Sequence, residues 1–191
     1  MREDLLDSAV ELIRAQGVEA LTMDRVAESA GVAKGTVYLY FESKGRLVEQ
    51  AVERLVEPLV AEVSEALDSD LPAEARLRAM AEANLRFFDD NRHLFRAFVQ
   101  GRFDTRTRAE QTRTPHYRAV LEKARRVVAS GVAEGAFRPL DPEAVAAVWI
   151  EAITALLVRR LLSADPPALA ADLDLLTNLF FDGLRAPARR G

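Results

Sequence analysis

The chain has 191 residues, 49% hydrophobic and 29% charged, a balance typical of a globular protein with a sizeable core. It contains no cysteine, which excludes disulfides and thiolate metal sites. The formal net charge is −4, so any nucleic-acid surface has to be a local basic patch rather than a basic total.

The N-terminal stretch carries Glu3 and Asp4 and does not read as a secretory signal. The longest apolar run, 144–158, is interrupted by Glu151 and is too short to span a bilayer. The expectation is a cytoplasmic protein with no membrane partner.

Helical spacing of apolar residues runs through nearly the whole chain, and strand alternation is almost absent. Leu5, Leu6, Ala9, Val10 and Ile13 mark one face of a first helix, ending near Gly17. Thr22 starts a second helix. Leu21 and Val26 flank its first turn as a hydrophobic staple, Asp24 suits the positive end of its dipole, and Gly31 ends it. A short helix over about 33–41 follows a tight turn. Ser43 then caps a longer helix bearing Leu47, Ala51, Leu55, Leu59 and Val63. Pro58 lies inside that stripe; because the stripe resumes beyond it, the pattern predicts a kink rather than an end.

Residues 68–72 read as a loop, followed by helices over about 73–89 and 92–102. A polar segment, 103–114, carries Arg106, Arg108 and Arg113 and reads as a loop. Pro115 opens a helix to about 134. Asp141, Pro142 and Glu143 form a strong start for another, reaching about 163. Pro166 and Pro167 precede a last helix to about 185. The fold predicted is all-α.

The segment from Thr22 to Leu47 reads TMDRVAESAGVAKGTVYLYFESKGRL. Two short helices separated by a glycine-containing turn make a helix-turn-helix, whose second helix can enter the major groove. That helix carries Lys34, Gly35, Thr36, Tyr38 and Tyr40. Lys34 can reach guanine acceptors or a phosphate, and Gly35 lets backbone come close to DNA. Thr36 offers a hydroxyl and a methyl, and the tyrosine hydroxyls can bond phosphate. Val37 and Phe41, one turn apart, plug the small core. Lys44 and Gly45 open the next helix, where ammonium and free amides both attract phosphate.

Residues 1–50 carry a net charge of −3, but from Gly31 to Leu47 only Glu42 opposes Lys34, Lys44 and Arg46. The acids of the first helix therefore have to face away from DNA.

In their order and spacing these residues resemble the TetR/AcrR family of transcription regulators, over about the first 60 residues. The resemblance implies that Lys34, Gly35 and Thr36 face bases while Thr22, Tyr38, Tyr40 and Lys44 hold backbone phosphates. Two departures stand out. Ala33 occupies a position where a capping Ser or Thr would contribute about 1 kcal/mol. Arg2 is the one basic residue available to an arm ahead of the first helix.

The resemblance further implies a three-helix DNA-binding domain over 1–48 and a helical ligand-binding and dimerisation bundle over 49–191. The last two helices carry wide apolar faces that suit a bundle or a homodimer: Val148, Trp149 and Ile153 on one, Leu173, Leu176 and Phe180 on the other. Leu176 and Phe180 are the candidates for a dimer seam. Phe88, Phe95, Phe98, Phe103, Tyr117 and Trp149 cluster mid-chain, and either line an apolar effector cavity or form plain core. Arg106 and its neighbours either bind an anionic headgroup or are a solvated loop.

His93 and His116 lack companions at metal-ligand spacing, and no cofactor is expected. No nucleophile motif, Glu-x-x-His pair or phosphate loop supports an enzyme. The function implied is a homodimeric repressor bound to double-stranded operator DNA and released by a small hydrophobic or amphipathic effector. The alternative is an interaction module of the same fold that has lost DNA binding.

Overall fold

A computed structural model describes residues 1–92 and 115–185, and among these the backbone forms eight α-helices. They are α1 (Arg2–Gln16), α2 (Met23–Ser29), α3 (Lys34–Tyr40), α4 (Lys44–Asp68), α5 (Ala73–Asp90), α6 (Pro115–Ala133), α7 (Pro142–Leu162) and α8 (Leu169–Leu184), with a 3-10 turn (Val18–Ala20) after α1. The predicted all-α class holds. The Arg-bearing segment 103–114 lies outside the described residues, as do residues 93–102 of the helix expected before it.

Helix boundaries follow local chemistry. Thr22 Oγ1 accepts the Arg25 N–H at 3.3 Å and caps α2. Past the C-terminus of α2, Gly31 takes φ 68°, the Gly31 N–H reaches Glu28 O at 3.1 Å, and the Val32 N–H reaches Ala27 O at 2.9 Å. This double closure satisfies carbonyls that the helix end leaves free, and its left-handed residue favours glycine. Ser43 Oγ accepts the Arg46 N–H at 3.3 Å, and Asp141 Oδ1 accepts the Glu143 N–H at 3.1 Å. Ala33 supplies no side-chain cap to α3. Pro58 does not end α4, which continues to Asp68.

The chain divides into two compact units at Pro58 and Leu59, inside α4. In the first, Leu5, Ala9 and Ile13 of α1 are buried together with Leu21, Val26, Val37, Phe41 and Leu47. Arg25 bonds Ala20 O at 2.9 Å and Gln16 Oε1 at 2.5 Å, tying α2 to the preceding turn.

In the second unit α5 packs against α6, α7 and α8. Leu77, Val128, Trp149, Ile153, Leu173 and Phe181 belong to one apolar core. That core also holds a charged cluster. Arg160 of α7 bonds Asp172 of α8 at 2.5 Å, Asp89 of α5 at 2.9 Å and Pro167 O at 2.8 Å. Arg159 pairs with the second oxygen of Asp172. Burial pulls the Arg160 pKa down, but its bonds to Asp172 and Asp89 outweigh that and leave it raised.

Candidate nucleic-acid interface

Helix α3 buries only Val37 against the unit's core, and Phe41, its first residue beyond, is buried with it. At about 100° per residue, the direction opposite Val37 falls between Gly35 and Leu39, with Lys34, Thr36, Tyr38 and Tyr40 to either side. Lys34, Gly35, Tyr38 and Tyr40 are exposed and Thr36 is half-buried. Thr22, at the cap of α2, and Lys44, at the start of α4, are also exposed. The Thr22 oxygen is occupied by the cap bond, which leaves its O–H able to donate.

Lys34 is not a free cation. Its ammonium lies 2.8 Å from Asp24 at the start of α2, and the bond to that carboxylate holds the Lys34 pKa above its ordinary value. A phosphate or guanine has to compete with Asp24 for it. The sequence assigned Asp24 only to the helix dipole; a contact across ten residues depends on the turn that folds α3 back on α2. Lys44 makes no ion pair among the described residues.

The acids of α1 are drawn off elsewhere. Glu3 and Asp7 lie 3.7 and 3.5 Å from Arg54 of α4, and Glu11 lies 3.3 Å from Arg14. Arg2 is docked too, bonding Gln50 and sitting 5.6 Å from the centre of the Phe41 ring.

Gly35 has no reason of its own to be glycine. Among the described residues a Cβ there would meet no atom within 4 Å, and its φ is not positive. Glycine inside a helix costs up to about 1 kcal/mol relative to alanine. The space beside it is open to a molecule approaching from outside. Gly35→Ala is expected to stabilise the fold by about 0.5–1 kcal/mol. It should weaken duplex binding on the order of tenfold, because the added methyl intrudes on a close contact. Thermal melting and DNA titration on one preparation read both. A more stable protein with unchanged DNA affinity would remove Gly35 from the interface.

Of the residues expected to meet an effector, Phe88 and Tyr117 are half-buried and Trp149 is fully buried. Phe95, Phe98, Phe103 and Arg106 lie outside the described residues. Trp149 packs 4.6 Å from Phe180 and 5.3 Å from Phe181, whereas Phe87 and Phe88 meet edge to face at 5.4 Å. The Trp149 Nε1–H is buried and has no hydrogen-bond partner among the described residues. Among the described residues, no group of three or more acidic or histidine side chains is placed to hold a metal ion. No helix among them is long and apolar enough to cross a membrane.

An exposed helix set against a partner helix by a glycine turn, flanked by a capping threonine and a helix-opening lysine, defines a helix-turn-helix DNA-binding protein. Comparison with known proteins gives the family. The domain described as "Bacterial regulatory proteins, tetR family" matches residues 5–51, and "Tetracyclin repressor-like, C-terminal domain" matches residues 70–157. The two matches together span well over half of the chain, which belongs to the TetR family of transcriptional regulators.

The regulator YhgD of Bacillus subtilis is 26% identical over 153 residues, 80% of each chain. The transcriptional activator FasR of Mycolicibacterium smegmatis is 34% identical over 104 residues, 54% of this chain and 48% of FasR, so only about half of that relative is spanned. The crystal structure of Bacillus subtilis FadR in complex with stearoyl-CoA superposes with a TM-score of 0.75 at 18% identity, covering 96% of this chain and 99% of FadR. The protein is thus a DNA-binding transcriptional regulator and not an enzyme.

Proposed function

We propose that the protein acts in the cytoplasm as a homodimeric repressor that a hydrophobic or amphipathic small molecule releases from its operator. In this reading residues 1–48 bind DNA, and residues 49–191 bind the effector and join the two subunits. Lys34, Gly35 and Thr36 face the bases, and Thr22, Tyr38, Tyr40 and Lys44 hold phosphates. The observation that carries the dimer is the exposure of large apolar side chains on both α7 and α8: Val148, Leu175 and Leu179 are 58%, 46% and 73% exposed. A second copy removes this surface from water. The expected seam residues Leu176 and Phe180 are replaced here: Leu176 is buried and Phe180 packs on Trp149 within the subunit.

Support for the effector comes from the Trp149 Nε1–H, a buried donor with no partner among the described residues, which costs stability unless an acceptor meets it. In FadR the same fold holds stearoyl-CoA, a long apolar chain on an anionic head. An effector of that class would lie among Phe88, Tyr117 and Trp149, with Phe95, Phe98, Phe103 and Arg106 contributing from the segment between α5 and α6.

A ligand releases DNA only by preferring one arrangement of the protein, and the coupling is reciprocal. With an operator selected from random duplexes, stearoyl-CoA is expected to bind more weakly to the operator complex than to the free protein. Operator binding should weaken by the same factor, roughly 5–150-fold. Calorimetry in both orders checks the equality. Identical stearoyl-CoA affinities with and without operator would end the release mechanism for this ligand class.

A further inference from the structure

Leu39 is the most exposed large apolar side chain among the described residues, at 82%. A lone exposed leucine is ordinary on a protein surface. The position of this one is not. It lies one turn beyond Gly35, on the face of α3 opposite the buried Val37, and both neighbours on the helix, Tyr38 and Tyr40, are exposed.

On the reading of α3 as the helix that enters the major groove, Gly35 removes bulk where backbone approaches, and Leu39 becomes the side chain that projects furthest toward the base edges. Leucine has no hydrogen bond to offer there. Against the donors and acceptors of guanine, adenine or cytosine it would strip water and return nothing. The one apolar group in the major groove is the C5-methyl of thymine.

We propose that Leu39 is a specificity-determining residue that reads the C5-methyl group of a thymine in each operator half-site. The contact discriminates by apolar burial alone, beside the polar readers Lys34 and Thr36. Deoxyuridine therefore serves as the probe, because it keeps every hydrogen-bonding group of thymidine and lacks only the methyl.

In an operator selected from random duplexes, each thymidine is replaced singly by deoxyuridine and binding is measured. One position in a half-site is expected to weaken the wild-type protein by about threefold to fivefold, the effect of one lost methyl contact. Leu39→Ala should bind the unmodified operator more weakly and be indifferent to deoxyuridine at that position, whereas Lys34→Ala should keep the full methyl effect. The exposure of Leu39 spares the fold, and an unchanged melting temperature of Leu39→Ala verifies that. A scan flat for the wild type, or a methyl effect equal in wild type and Leu39→Ala, overturns the assignment while leaving DNA binding intact. Failure to select any duplex overturns the groove reading itself, and Leu39 with it.

Discussion

Leu179→Arg is expected to convert the protein to a folded monomer and to lower operator affinity on the order of 100-fold or more. Leu179 is 73% exposed on α8, so the substitution leaves the subunit core untouched. In the proposed dimer it places two desolvated charges in an apolar seam, where burying an unpaired charge costs far more than the leucine contact contributed. Each recognition helix then binds alone, and the effective concentration that links two half-sites disappears, a factor of roughly 10² to 10⁴. Sedimentation at micromolar concentration reads the oligomer, and circular dichroism reads the fold. Leu176→Arg is the informative contrast: Leu176 is buried within the subunit, so this variant should unfold instead of dissociating. A Leu179→Arg protein that sediments and binds operator as the parent does would place the seam elsewhere.

Asp172→Asn is expected to destabilise the second unit by about 3–5 kcal/mol, because it breaks a buried pair while leaving its partner charged. Asp172 is buried, and its carboxylate faces both Arg160 and Arg159. After the substitution the buried Arg160 guanidinium still bonds Asp89 and the Pro167 carbonyl but loses its carboxylate on α8. For a chain of this size each kcal/mol moves the midpoint by roughly 2–4 °C, so the melting temperature should fall by about 10 °C at fixed protein concentration. Asp89→Asn should fall less, because that side chain is only partly buried and Asp172 remains on Arg160. DNA affinity measured well below the new midpoint should be unchanged. A shift within a degree or two for Asp172→Asn would mean that the cluster contributes no net stability.

Much of the fold was legible in the sequence because helix boundaries are local. Thr22 caps α2, Gly31 closes it, Ser43 caps α4, and Asp141 with Pro142 opens α7, each through groups within five residues along the chain. The buried face of α1 was equally plain, since Leu5, Ala9 and Ile13 are apolar while Asp4, Asp7 and Glu11 are not. At the proposed DNA-binding site the same locality exposed the Lys34–Gly35–Thr36 run and the two tyrosines. Leu39 is not legible in this way, because an isolated leucine in a helix reads as core until its direction is known.

Helix α8 marks the limit of that locality. It carries Leu169, Leu173, Leu175, Leu176, Leu179, Phe180 and Phe181, an apolar arc so wide that periodicity does not say which part of it a neighbour covers. Contact with α5 and α7 covers Leu173, Leu176 and Phe181 and leaves Leu175 and Leu179 in water. The adjacent pair Arg159 and Arg160 is chemically identical, yet the side chains are 51% and 4% exposed, because Asp172 and Asp89 arrive at Arg160 from two other helices. Lys34 likewise found Asp24 only once the turn had closed. Capping, turn chemistry and propensity act over a few residues and are written in the chain itself. Which side of an apolar helix is buried, and which charge is paired, depends on surfaces supplied from distant positions, and only the packed tertiary structure decides it.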